Sequence, residues 1–113
     1  MNKFFMFLFS ILVLTSLSSS AAIYKGQREF VKKCVKCHKA GQAFVATKKK
    51  RTWKKLLAKK GKQLAQLHIN STKKKAKKSK KYFKKRKFKK KAKHLKQFLM
   101  EYASDSGNVP ACN

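Results

Sequence analysis

Residues 34–38 read Cys34-Val35-Lys36-Cys37-His38, a C-x-x-C-H pentapeptide. Two intervening residues on a helical turn set both sulfurs on one side of the backbone, within reach of one flat macrocycle. The next residue can then turn its imidazole towards a central iron. The pattern reads as a c-type haem attachment site, with Cys34 and Cys37 as the tethers and His38 as an iron ligand. The second ring nitrogen of His38 is expected to donate to a backbone carbonyl, which fixes the tautomer.

Other readings of the same residues remain. A C-x-x-C redox disulfide belongs with a βαβ setting, which the surrounding sequence does not display. A structural zinc site needs four ligands. Cys34, Cys37 and His38 would supply three, and Cys112, His68 or His94 the fourth. Such sites usually carry two spaced ligand pairs, and this chain has one. A chance pentapeptide is disfavoured because Cys and His are both rare residues.

Upstream of the motif, Met1-Asn2-Lys3 gives a short positive start, and Phe4 to Leu17 is almost wholly apolar. Ser18, Ser19, Ser20, Ala21 and Ala22 follow. This order predicts a secretory signal peptide over residues 1–22, cut after Ala22 or one residue earlier. The alternative is an uncleaved anchor, but a spanning helix needs roughly 20 mainly apolar residues. The mature chain is then 23–113, in the periplasm or outside the cell. Thiols there normally end up oxidised or covalently occupied.

The composition bounds what the rest can be. The chain has 113 residues, and its 32 Lys+Arg against 3 Asp+Glu give a net charge of +29. That length allows one small domain and excludes a multi-domain enzyme or a bundle of membrane spans. One Pro and four Gly argue against a turn-rich β fold. The charge excess repels itself and destabilises any compact state. A folded mature form therefore calls for help, an anionic partner or both.

Residues 24–46 resemble the opening of a small cytochrome c. Gly26 and Phe30 precede the C-x-x-C-H motif, and Ala40-Gly41 follow it. The resemblance implies an all-α domain around one covalently attached haem. In that family a short N-terminal helix, carrying a Gly and an aromatic residue, packs across a C-terminal helix rich in Leu and aromatics. Leu95, Phe98, Leu99 and Tyr102 supply such a helix here. The resemblance covers the two ends of the domain and not its middle.

Periodicity gives a helical outline. A first helix is expected from Tyr24 to about Lys36, with Phe30, Val31 and Cys34 on one face. Lys39 to Arg51 reads as loop, apart from an apolar patch at Phe44-Val45. A second helix is expected from an N-cap at Thr52, with apolar positions Trp53, Leu56, Leu57, Leu64 and Leu67. Gly61 would lie inside it and weaken it by roughly 1 kcal/mol. Asn70-Ser71-Thr72 reads as a break. A last helix from about Lys84 to Ala103 follows from Phe88, Ala92, Leu95, Leu99 and Tyr102. The Lys-rich segment at about 73–91 is expected to be partly mobile, because 73–81 lacks an apolar face and like charges repel. The haem is expected to complete the small core, against Phe30, Trp53, the leucines and Phe98.

The sixth iron ligand is the point of departure from the family. Cytochromes c commonly pair His with Met. The family Met lies in a loop before the last helix, whereas Met100 falls within that helix. His68, near a helix end before a loop, is the first choice, then Met100, then His94, with an open or water-bound position as a further option. Cys112 is left over, either as a free tail thiol or as a link between two chains.

From Lys48 to Lys96 there are 25 Lys+Arg and no acids. Such a field steers anionic partners, here an acidic redox protein or an anionic membrane surface. It is also what a solvated, Lys-biased surface would look like. Trp53, Tyr82, Phe83 and Phe88, interleaved with lysines, would suit single-strand stacking, but export argues against nucleic acid. No general acid–base pair is visible, so no enzymatic reaction is expected. The sequence thus leads to a periplasmic single-haem electron carrier. The alternatives are a haem-free cationic protein binding membrane or nucleic acid, and a zinc-stabilised module.

Overall fold

The computed structural model describes residues 20–109. The expected leader therefore lies outside the described residues except for 20–22, and so does Cys112. Every regular element among the described residues is a helix. None of these helices is long and apolar enough to cross a membrane.

Helix α1 covers residues 20–33, and a chain of turns carries the cysteine motif away from its end. Cys34 N donates to Phe30 O at 2.8 Å and His38 N to Cys34 O at 2.8 Å, so the motif continues the helical winding. Helix α2 is the single turn Gln42–Val45, α3 is Lys50–Ile69, α4 is Lys74–Lys84 and α5 is Arg86–Glu101. Phe30 is buried on α1 and Cys34 half-buried beyond it, whereas Val31 stays exposed. The inner face of α1 is thus narrower than its sequence implies.

α1 crosses α5 by direct backbone contact. A Cβ added at Gly26 would collide with the carbonyl oxygen of His94 and lie 2.7 Å from Phe98 Cβ. Only a residue without a side chain lets the two helices come this close. One turn later the Phe30 and Phe98 rings pack at 5.4 Å between centroids. α1 and α5 are therefore locked together by a small residue followed by an aromatic pair.

The middle of the chain differs from its sequence outline at three points. First, α3 begins at Lys50, and its N-cap position, Lys49, makes no side-chain capping bond. The acceptor expected from Thr52 comes instead from Asp105, whose Oδ1 receives Lys50 N–H at 2.8 Å. A carboxylate is well placed there, because the first helical N–H groups lack partners and carry the positive end of the helix dipole.

Second, α3 is two helical pieces. Ala58 is extended (ψ 154), and Lys59, Lys60 and Gly61 all have positive φ (52, 58 and 75). Gly61 does not weaken a continuous helix; it sits where the helix breaks. The left-handed region suits glycine, and a Cβ at Gly61 would lie 2.6 Å from Phe88 Cζ.

Third, Lys74–Lys84 is a regular helix. Its inward side is short: Phe83 is buried, and Ala76, Ser79 and Tyr82 are half-buried. Lys85 alone separates it from α5. A few anchored aromatics suffice to hold a helix whose other residues are solvated lysines, since most helical stability in proteins comes from tertiary packing.

The core is built from Phe30, Val45, Trp53, Phe83, Phe88 and Phe98 together with Leu56, Leu57, Leu95 and Leu99, and alanines fill between them. Trp53 is 2% exposed and donates Nε1–H to Val45 O at 3.0 Å, which satisfies its one polar atom and fixes α2 over α3. Burial of Trp53, Phe83 and Phe88 makes them core residues rather than a surface for stacking bases.

Candidate functional site

The motif turn, the second half of α3, and α4 enclose a cavity of about 420 Å³. That size falls within the range of roughly 300–1,000 Å³ usual for cofactor and small-molecule sites. Its apolar walls are Phe30, Phe44, Trp53, Leu64, Phe83 and Leu99, and Leu67 lies at its edge. Leu67 is 57% exposed, so apolar surface faces the opening.

Cys34, Cys37 and His38 all line this cavity, and so does His68. The fold thus brings these four residues to one cavity. Met100 is half-buried beside the core on α5 and is not among the cavity's lining residues. His94 borders a different depression. Of the side chains expected to cover a haem, Phe30, Trp53 and leucines line the cavity, while Phe98 packs instead between Phe30 and Tyr102.

Each imidazole is held by an aromatic ring. His38 stacks on Phe44 at 3.9 Å between centroids, and His68 stacks on Phe83 at 4.1 Å. Nδ1 of His68 lies 2.8 Å from Leu64 O, one turn back on α3. If Nδ1 carries the proton and donates to that carbonyl, Nε2 keeps its lone pair free. The two imidazole planes are nearly perpendicular (87°), with centroids 6.2 Å apart. A metal held between two imidazole nitrogens at about 2 Å each, plus about 1 Å from each nitrogen to its ring centre, requires roughly 6 Å. The spacing fits.

Electrostatics favour the neutral form of His38. Partial burial holds His38 below its ordinary value, and the neighbouring His68 and Lys48 push the same way. A neutral imidazole is the form that binds a metal. The two thiols are free. Burial pushes the Cys34 thiol up to about 12, with Glu29 and then Cys37 adding to the effect. Reactive dithiols work through depressed thiol pKa values, so Cys34 is poised against disulfide redox chemistry.

Among the described residues, no three His, Cys, Asp or Glu side chains converge as a metal-ion site. A zinc ion asks the protein for three or four converging donors. Iron in a porphyrin draws four ligands from the macrocycle and asks the chain only for axial ones. The donor set here, two thiols and two imidazoles lining one cavity, is of the second kind.

Sequence reading missed the roles of Phe44 and Phe83 as platforms for the histidines. Phe44 stood out only as part of an apolar patch, and Phe83 as an aromatic among lysines. Their partners are distant in sequence, and no local pattern reports the pairing. Glu29 was also missed. It is buried, accepts a hydrogen bond from Tyr82 Oη at 2.7 Å, and lies 3.6 Å from Lys91 Nζ.

No protein-family model matches this chain, and no curated protein or solved structure matches it.

Proposed function

We propose that the chain is a small exported c-type cytochrome that carries single electrons through one covalently attached haem. The observation that carries this reading is the joint placement of Cys34, Cys37, His38 and His68 around one largely apolar, cofactor-sized cavity, with the imidazoles 6.2 Å apart. The crossing of α1 and α5 at Gly26 and Phe30 gives further support, because it is the arrangement the family resemblance implies.

When bound, the haem supplies a one-electron iron couple. The chain's own residues do the rest. Cys34 and Cys37 would hold the macrocycle through thioether links. His38 and His68 would supply imidazole nitrogens to the iron, each kept in orientation by its stacked phenyl ring. Phe30, Trp53, Leu64 and Leu99 exclude water. Lys33, Lys48, Lys73 and Lys75 line the same cavity and set a positive rim around it. Such a rim steers an acidic redox protein, or an anionic membrane surface bearing one, to the site of electron transfer.

The deciding measurement is the intact mass of protein secreted by a host able to mature c-type cytochromes. The processed polypeptide plus one haem is expected, and a Cys34→Ala, Cys37→Ala variant should lack the added mass. A bare polypeptide from the unaltered chain ends this reading. For the docking part, the rate of electron exchange with an acidic partner should fall as ionic strength rises. Indifference to salt would reject it.

A further inference from the structure

A second depression, of about 800 Å³, opens between α1, the break in α3 and the outer face of α5. It shares no lining residue with the cavity at the cysteine motif. Nine Lys and Arg side chains line it, among them Lys25 and Arg28 of α1, Lys59 and Lys60 of the break, and Lys90 and Lys93 of α5. Leu57 and Ala58 also contribute to its wall, and no acidic residue does. Within the described residues, Lys91 alone among these cations has a carboxylate within ion-pair distance.

Like charges on a flat surface spread their field into water. The same charges on the walls of a recess share it, and the low-dielectric walls focus the potential inward. His94 lines this groove and registers that field. Its imidazole is held below its ordinary value by desolvation first, and then by Lys93, Lys25 and Lys91. The backbone points the same way. Lys59 and Lys60 are the only non-glycine residues with positive φ among the described residues. Side chains in that conformation are disfavoured and tend to occur where function demands them. Here two such residues in succession both carry a positive charge on the groove wall.

We propose that this groove is a binding site for a compact, multiply charged phosphate anion of the oligophosphate type. Nine cations against one nearby carboxylate call for several negative charges in a small volume. Lysine ammonium groups bind phosphate oxygens as point charges, without the planar geometry that carboxylate recognition by arginine exploits. A recess walled by three elements admits a short chain and excludes a nucleic-acid duplex. The site is independent of the haem assignment, since the two depressions have no residue in common.

Calorimetric titration of the purified full chain with sodium tripolyphosphate tests this. Saturable one-to-one binding is expected. A Lys59→Gly, Lys60→Gly variant removes two groove charges and leaves the left-handed backbone at ease. It should weaken binding about tenfold or more. Lys90→Gln, Lys93→Gln provides a second groove variant that leaves the break untouched, and the same loss is expected. Lys77→Ala, Lys78→Ala removes equal charge from exposed positions on α4, outside the groove, and should change affinity less than about twofold. Far-UV circular dichroism checks that each variant folds. Equal losses in the groove and α4 variants, or binding that never saturates, would overturn the site.

Vesicles of phosphatidylglycerol separate a lipid headgroup from a free phosphate chain. A recess does not meet a flat bilayer, so groove and α4 variants should lose vesicle binding alike. Selective loss of vesicle binding in the groove variants, with tripolyphosphate affinity intact, would assign the groove to lipid and overturn the proposal.

Discussion

The Tyr82 hydroxyl donates to the Glu29 carboxylate at 2.7 Å, joining α4 to α1 across the inside of the domain. Glu29 is 4% exposed, and its other oxygen lies 3.6 Å from Lys91 Nζ on α5. One buried carboxylate therefore ties together three helices that carry almost nothing but positive charge on their outer faces. Burying a charge is costly unless it is both paired and hydrogen-bonded, and here it is both. Removing Tyr82's hydroxyl should leave that carboxylate partly unsatisfied. Tyr82→Phe is expected to destabilise the fold by about 1–3 kcal/mol, measured by denaturant unfolding.

The same contact predicts a dependence on alkaline pH. Desolvation first, then the hydrogen bond and charge of Glu29, push Tyr82 well above its ordinary value. A raised folded value means the contribution is fully present below the unfolded value of about 10 and is lost as pH rises above it. Stability should fall more steeply above pH 10 in the unaltered protein than in Tyr82→Phe. Parallel curves would show that Tyr82 is not the group responsible.

At the helix crossing, Gly26→Ala places a methyl group against the His94 carbonyl. Backbone cannot move aside as a rotamer can, so the helices must separate. A loss of about 1–3 kcal/mol is expected, a fall of roughly 5–15 °C in Tm for a domain of this size. A melting temperature within a degree or two of the unaltered protein would contradict the close approach.

His68→Met in the haem-loaded protein tests the axial pair. Replacing a His/His pair by His/Met should raise the midpoint potential and bring in the Met-to-iron charge-transfer absorption. If potential and spectrum are both unchanged, His68 does not touch the iron.

Asp105 gives an acid-side expectation. The backbone N–H of Lys50 holds its carboxyl below the ordinary value. A depressed folded value contributes stability above the unfolded value, lost as pH falls through the folded one. Asp105→Asn should flatten the loss of stability below about pH 4 and fray the start of α3, read by hydrogen exchange at its first turn.

How far the sequence was legible depended on whether the signal was local. The C-x-x-C-H motif, the Gly26/Phe30 pair and the period of Phe88, Ala92, Leu95 and Leu99 are each confined to a few residues. The first continues the winding of α1, the second lies where α1 crosses α5, and the third is buried in the core. His68 was singled out by its position at a helix end before a break, and it lines the same cavity as His38. The failures were all non-local. α3 breaks at residues 58–61, where Phe88, far along the chain, occupies the space beside Gly61. α3 is capped by Asp105 rather than Thr52. α4 is a helix because Phe83 packs beneath His68 and against Phe88, contacts that a run of lysines conceals. Nor does any periodicity single out the groove, because its cations come from three separate elements.

The contact of Gly26 with His94 spans most of the described chain, from the middle of α1 to the middle of α5. A polypeptide emerging from the ribosome therefore lacks this partner for α1 until nearly all of it has been synthesised. Loop closure over such a separation comes late and slowly. The newborn molecule stays open at this crossing in the meantime.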